Sequence, residues 1–462
     1  MKNLLATSGV LFALAVPTFA ADGSTLWYSE PATRWMTEAL PIGNGTLGAM
    51  VFGGTEGEHL QFNVNSLWEG DEEDTGSYQA FGDVLIELNH ANVSEYRREL
   101  DIDRAVHTVS YVCNGIHFKR TMFASHPAGV IMLRIEADKP GAISGRLWLT
   151  DMHGAETRPD AAARLHTTGK LKNGLDYEAQ VLVIPGGGKG AGANAVSNAT
   201  STVKWPDWKS HLPPTGVAFT NCDALTVILA ADTSYRQDQR HGWRGDHPHQ
   251  AVTKRIDAAA RAKFATLLRD HVADYQKLFH RVQFDLGKTA PEISALPTGA
   301  RLAAYTRNHA NDPELEALFA QYGRYLLIAS SREGGLPANL QGLWNDSNNP
   351  PWRCDYHSNI NIQMNYWPAE PGNLAECAVP FIDYVTSLRE VAMRRTQAHY
   401  GGKRGYTFQT ENNIYGGGSW RWNPPASAWY AQHLWEHYAF SGDKKYLADV
   451  AYPMLKEICQ FW

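Results

Sequence analysis

Near residue 251 the apolar residues of this chain change their spacing, and that change constrains the fold more than any other feature. Upstream they recur at every second position: Leu60, Phe62 and Val64 alternate with polar residues, as a strand with one buried face requires. Val109, Tyr111 and Cys113 lead into Asn114-Gly115, and Ile116, Phe118 and Arg120 come next. An Asn-Gly pair between two alternating runs specifies a hairpin, because both turn positions need positive φ. Val130 to Ile135, Leu147 to Leu149 and Leu225 to Ala230 read as further strands, and the Gly/Ala/Asn/Ser-rich tract from Gly186 to Ser201 as a mobile surface loop. The upstream region is therefore expected to form a large antiparallel β-sandwich.

Downstream the period is helical. Phe264, Leu267, Leu268, His271, Tyr275, Leu278, Phe279 and Val282 mark one face of a long helix that would connect the β region to the helices downstream. Leu315 to Leu326, Phe381 to Val391 and Trp429 to Phe440 mark three more, the last ended by Ser441-Gly442-Asp443. A final helix starts near Lys444, with Met454, Leu455, Ile458, Phe461 and Trp462 as its apolar stripe. No Gly, Asn or Pro closes it, so a continuation beyond Trp462 is expected. Helices joined by long aromatic-rich loops suggest a helical toroid whose loops build a site at one end.

A chain of 462 residues exceeds a single ordinary core. With a net charge of -6 and no basic stripe, nucleic acid is excluded as a partner. Lys2, the apolar run Leu4 to Val16 and Thr18-Phe19-Ala20 form a secretory signal over residues 1–20. The apolar run is well short of the ~20 residues that span a bilayer, so no stable membrane insertion is expected after cleavage. The five cysteines are widely spread and match no zinc pattern, and an exported chain permits a disulfide without requiring one. His241, His247 and His249 lack a fixed ligand spacing and read as a solvated loop, so neither metal nor cofactor is expected.

The segment from Gly335 to Glu370, GLPANLQGLWNDSNNPPWRCDYHSNINIQMNYWPAE, crowds Asn, Gln, Trp, His and Tyr into a stretch with little periodicity. Planar amides and imidazoles bond hydroxyl pairs while indoles cover apolar ring faces, the chemistry of a sugar site. His357, Asn359 and Asn361 alternate, so an extended backbone would project all three from one face. Two roles fit them: a carboxamide oxygen can orient a water for attack beside a carboxylate base, or the amides can satisfy buried backbone groups in a long loop. Glycoside hydrolysis uses two carboxyl groups, and no paired-carboxylate motif emerges. Glu370 reads as orienting a turn, Glu411 as lying in a polar loop within reach of a site, and Glu436 as a structural residue inside a helix. Gly43-Asn44-Gly45-Thr46-Leu47-Gly48 lacks the lysine of a phosphate loop and reads as a turn between strands.

These segments resemble the α-L-fucosidases of glycoside hydrolase family 95. The likeness runs through ALPIGNGTLGAMVFGG (Ala39 to Gly54), LQFNVNSLWEG (Leu60 to Gly70), QYGRYLLIASSREGGLPANLQGLWN (Gln321 to Asn345), HSNINIQMNYWPAE (His357 to Glu370) and AWYAQHLWEHYAFSGD (Ala428 to Asp443). It implies a multidomain β + α protein: an N-terminal antiparallel β-sandwich (21–287), a helical linker and the first part of an (α/α)6 barrel (288–462). It implies inverting removal of terminal α-L-fucose, typically α-1,2-linked, from fucosylated glycans by a secreted or periplasmic bacterial enzyme. Asn359 and Asn361 match the NxN motif that positions the attacking water, His357 a sugar-contacting position, and Trp429 a sugar-facing aromatic. The family's general acid and assisting carboxylate match no residue of this chain. Pro424-Pro425-Ala426-Ser427 also departs from the glycine-richer approach of many relatives. The alternatives are an exo-hydrolase of another L-sugar, such as an α-L-galactoside, and a catalytically incomplete carbohydrate-binding fragment.

Overall fold

A computed structural model describes residues 23–161, 163–203, 205 and 212–462, so the signal expected at residues 1–20 lies outside the described residues. The described residues form two large antiparallel sheets, one of nine strands and one of seven. Val106–Cys113 and Ile116–Ser125 pair through the expected hairpin, with Asn114 and Gly115 at φ 52° and 73°. The expected strands at 130–135, 147–149 and 225–230 fall within Val130–Ala137, Ile143–Leu149 and Ala224–Thr233.

Two expectations change. The tract from Gly186 to Ser201 is not simply a loop. Gly192–Val196 is an edge strand of the seven-stranded sheet, because small residues let its backbone pair along Gly216–Cys222. Gly57–Val64 is buried on both faces rather than one. Leu60, Phe62 and Val64 enter the main core, while Gln61 and Asn63 on the opposite face donate to the carbonyl of Asn345, each at 2.8 Å.

The helical period at 251–282 breaks at Ala262 and Lys263, whose ψ values of 151° and 138° are extended. The resulting helices, His249–Arg261 and Phe264–Phe279, cover the nine-stranded sheet. Val252, Ile256, Ala259 and Leu267 close a second core over Phe123, Val130, Met132 and Ile228. Pro313–Ser330, Ala375–Ser387, Arg389–His399 and Pro425–Ser441 supply the downstream helices. Gly442 at φ 66° ends the last of these, and the Asp443 carboxylate caps the next turn. The segment with little periodicity is irregular from Gly335 to Tyr356 apart from the short turn Pro351–Cys354, yet it packs as a wedge between sheet and helices. Leu336, Ala338, Leu343, Trp344, Cys354 and Tyr356 are all buried within it. Among the described residues no helix is long and apolar enough to cross a membrane.

Candidate active site

The wedge delivers the chain to a small hairpin, Phe408–Asn412 with Gly418–Asn423, which holds the site. The Tyr356 and Ser358 N–H groups donate to the carbonyls of Asn412 (3.0 Å) and Thr410 (2.8 Å), so His357 is pinned at both neighbours. The Ser358 carbonyl accepts from Gln363 Nε2 (2.5 Å) and Asn423 Nδ2 (3.1 Å). Those bonds turn the backbone out of extension. Ser358 to Ile360 form a turn, and Asn361 opens the short helix Asn361–Tyr366.

The extended alternation expected for His357, Asn359 and Asn361 is thus absent, yet all three line one hollow of about 560 Å³. Asn359 and Asn361 are exposed, whereas His357 is buried. The Asp355 carboxylate accepts from His357 Nδ1 at 2.9 and 3.1 Å. A carboxylate only accepts, so Nδ1 carries the proton and Nε2 is the nitrogen left for a ligand. Burial raises the Asp355 carboxyl to about 6, against the lowering pull of His357. Burial depresses the His357 imidazole, but the Asp355 bond and charge outweigh it and the net shift is upward.

Trp429 is not among the residues lining the hollow. It stands in Pro425–Ser441, edge-on to Trp367 at 6.1 Å between ring centroids. Glu411 lies in a strand rather than a loop, held by Ser419 Oγ (2.6 Å) and Arg353 Nε (3.2 Å). Glu370 accepts from His437 Nδ1 at 2.6 Å and so ties its turn to Pro425–Ser441. Glu436 lines a different groove, beside Trp462. The three histidines expected in a solvated loop differ in placement: His249 opens the helix His249–Arg261 and meets Glu178 at 2.8 Å, while His241 ends a short helical turn and meets Asp238 at 2.8 Å. All five cysteines are free.

Sequence reasoning passed over Asp355, whose only signal was its place two residues before His357. Met36, Gln341, Trp352 and Trp420 also line the hollow, with Leu340, Pro351 and Ile360 between them. Trp420 comes within 6.2 Å of the His357 ring, and Met36 arrives from the β-sandwich, so no single segment announced the set.

The described residues thus combine a two-sheet β region with the helices that follow it, and gather amides, an imidazole and indoles around one hollow. Residues 263–462 match the Glycosyl hydrolase family 95 catalytic domain, and residues 26–77 and 71–238 match the Glycosyl hydrolase family 65, N-terminal domain. The likeness to glycoside hydrolase family 95 thus rests on residues 263–462 and extends to curated relatives over nearly the whole chain. It is 32% identical to Alpha-L-fucosidase 2 of Arabidopsis thaliana over 94% of this chain and 58% of that protein. It is 30% identical to Probable alpha-fucosidase A of Aspergillus niger over 99% of this chain and 62% of that protein. The chain thus spans about three fifths of these curated relatives. A solved human-microbiome structure assigned as a kojibiose phosphorylase shares the fold, with a TM-score of 0.58 and 12% identity over 95% of this chain and 59% of that one.

Proposed function

We propose that this protein is a secreted or periplasmic exo-acting glycoside hydrolase that removes terminal α-L-fucose, α-1,2-linked, from fucosylated glycans with inversion. The observation that carries the reading is the convergence of His357, Asn359 and Asn361 on one hollow. Similarity to proteins named as α-fucosidases supports the sugar. In this reading Asn359 and Asn361 orient a water at the anomeric carbon through their carboxamide oxygens, and His357 Nε2 meets a sugar hydroxyl. Inversion results if that water attacks the face opposite the leaving oxygen while separate carboxyl groups take and give the protons. Asp355 holds the imidazole and is not spare for either task.

The test is incubation of the purified chain with 2′-fucosyllactose, following binding and the first-formed anomer by NMR. Binding of the trisaccharide is the expected result, and β-L-fucose is the expected first-formed anomer wherever the acid and base carboxyl groups, which match no residue of this chain, are supplied. Release of the α-anomer overturns inversion, and neither binding nor release overturns the fucoside reading.

A further inference from the structure

Arg395 stands in the helix Arg389–His399 and does not line the hollow, yet its guanidinium is turned onto the hairpin that holds the site. Nη1 donates to the Gly416 carbonyl (2.8 Å), and Nη2 donates to the Gly418 carbonyl (3.0 Å) and to Gln409 Oε1 (2.6 Å). The three acceptors come from both strands and from the loop between them. Such bonds are charge-assisted, and the planar fork fixes their angles. Only 13% of the Arg395 side chain is exposed, so water competes poorly for them.

The part of the hairpin it grips is irregular. Gln409 faces Trp422 and Glu411 faces Ser419, so Trp420 and Arg421 stand opposite the single residue Thr410. Two residues against one make a β-bulge, which bends its strand and re-aims a side chain. Trp420 takes φ 65° there, a conformation that a bulky residue keeps only where its surroundings impose it. Gln409 and Gly418, which Arg395 ties together, flank that bulge on either side. A second line runs from the same guanidinium to the candidate reactive residues. The Gln409 carbonyl accepts from Ser358 Oγ at 2.7 Å, and Ser358 is the residue between His357 and Asn359. Behind Arg395 lies the acidic turn Asp71 to Asp74 of the β region. Its Glu73 carbonyl accepts from Nη2 at 3.5 Å, and Asn413 of the hairpin loop donates to the Asp71 and Asp74 carbonyls at 2.8 and 2.9 Å. The Glu73 carboxylate, 3.6 Å from Nε, is 74% exposed, so solvent screens that ion pair and the carbonyl bonds are what hold.

We infer that Arg395 is a positioning residue of the hollow: its fork onto Gln409, Gly416 and Gly418 fixes the bulge that brings Trp420 beside His357, and fixes the strand on which Ser358 is held. Its consequence for sugar binding rests on the reading of the hollow as the fucoside site; its effect on the shape of the hollow does not. Lysine is no substitute, because a single ammonium on a flexible stem keeps the charge but does not span three acceptors in fixed directions.

The experiment records indole N–H NMR spectra of the wild-type chain, Arg395→Lys and Arg395→Gln without ligand, the Trp420 signal being identified by its loss in Trp420→Phe. In Arg395→Lys the Trp420 signal should move or broaden while those of Trp27 and Trp148, in the two large sheets, stay in place. An unmoved Trp420 signal overturns the inference, because an arginine that only stabilises the fold lowers the melting temperature and leaves that indole where it is. Movement of Trp27 and Trp148 as well overturns it too, since the arginine then supports the fold at large. Arg395→Gln should displace Trp420 at least as far; should it fail to fold, Arg395→Lys decides alone. Titration with 2′-fucosyllactose keeps the two readings apart. Arg395→Lys should bind it about tenfold more weakly than wild type, the equivalent of one lost hydrogen bond. Equal binding by both overturns the positioning role. A wild type that binds no sugar removes the fucoside reading, and the Trp420 signal then judges Arg395 by itself.

Discussion

Asn359 and Asn361 are exposed at the hollow, so their substitution removes reactive groups without opening the core. In a protein that also supplies the acid and base carboxyl groups, Asn359→Ala and Asn361→Ala should each cut fucose release by about 10²–10⁴-fold, the usual worth of a positioned group in proton transfer. Melting temperature should barely move; near-normal turnover in both variants would sink the assignment. His357 behaves differently because Asp355 governs its charge. With the Asp355 bond and charge removed, burial is the largest remaining influence and it pushes the imidazole down. Asp355→Asn should therefore move the His357 titration, read by histidine C–H NMR, below its wild-type position; an unmoved titration refutes the pairing. The same shifts set the sign of the stability effect. Asp355, raised to about 6, and His357, also raised, bind protons more tightly folded than unfolded. Their contribution is complete below the unfolded aspartate value and is lost as pH rises through 6 and past the imidazole range. Wild type should lose more melting temperature than Asp355→Asn between about pH 5 and about pH 8. Arg353 and Glu411 face the same pair and are intact in both proteins.

At the scale of elements, local chemistry was legible where it was self-sufficient. The Asn114-Gly115 hairpin and the Gly442 helix stop need only their own backbone angles, so sequence and structure agree on them. The hairpin yields a sharp expectation. A Cβ on Gly115 would meet nothing within 4 Å, so Gly115→Ala carries only the conformational penalty of φ 73°. That should cost about 1–2 kcal/mol in urea denaturation, while Asn114→Gly stays within a few tenths. Equal stability of Gly115→Ala and wild type would contradict the turn. The site was half legible for the same reason. Spacing brought His357, Asn359 and Asn361 together, but the extended backbone that justified it does not exist. Ser358 is turned by Gln363 and by Asn423, a residue 65 positions away. Trp420 depends on a left-handed backbone inside a strand, which no propensity encodes.

At the scale of the molecule, the sandwich and the helices share polar seams that alternation could not reveal. Tyr325 Oη donates to the Pro41 carbonyl (2.6 Å), Trp344 Nε1 to Ile42 (3.0 Å) and Tyr78 Oη to Leu343 (2.7 Å). Gly43 lies so close to the helix Pro313–Ser330 that an added Cβ would sit 2.4 Å from the Ala329 carbonyl oxygen. This explains why Gly57–Val64 has two buried faces: its polar side is one half of an interface. Asn63 is the centre of that seam. Its Nδ2 donates to the Asn345 carbonyl at 2.8 Å, and its Oδ1 accepts from the Asn345 N–H at 3.0 Å. Both residues are fully buried, so no water replaces these bonds. Asn63→Leu strands the Asn345 N–H and fills the space with carbon, which should cost about 2–4 kcal/mol once unsatisfied groups and shape mismatch are combined. Because the seam joins β-sandwich to helices, that loss belongs to both. Helical circular dichroism and aromatic near-ultraviolet signals should melt together in wild type and shift down together in Asn63→Leu. A helical signal that keeps its wild-type midpoint would mean that the two regions are stabilised separately, and that the Met36 wall of the hollow is not held against the helices by this interface.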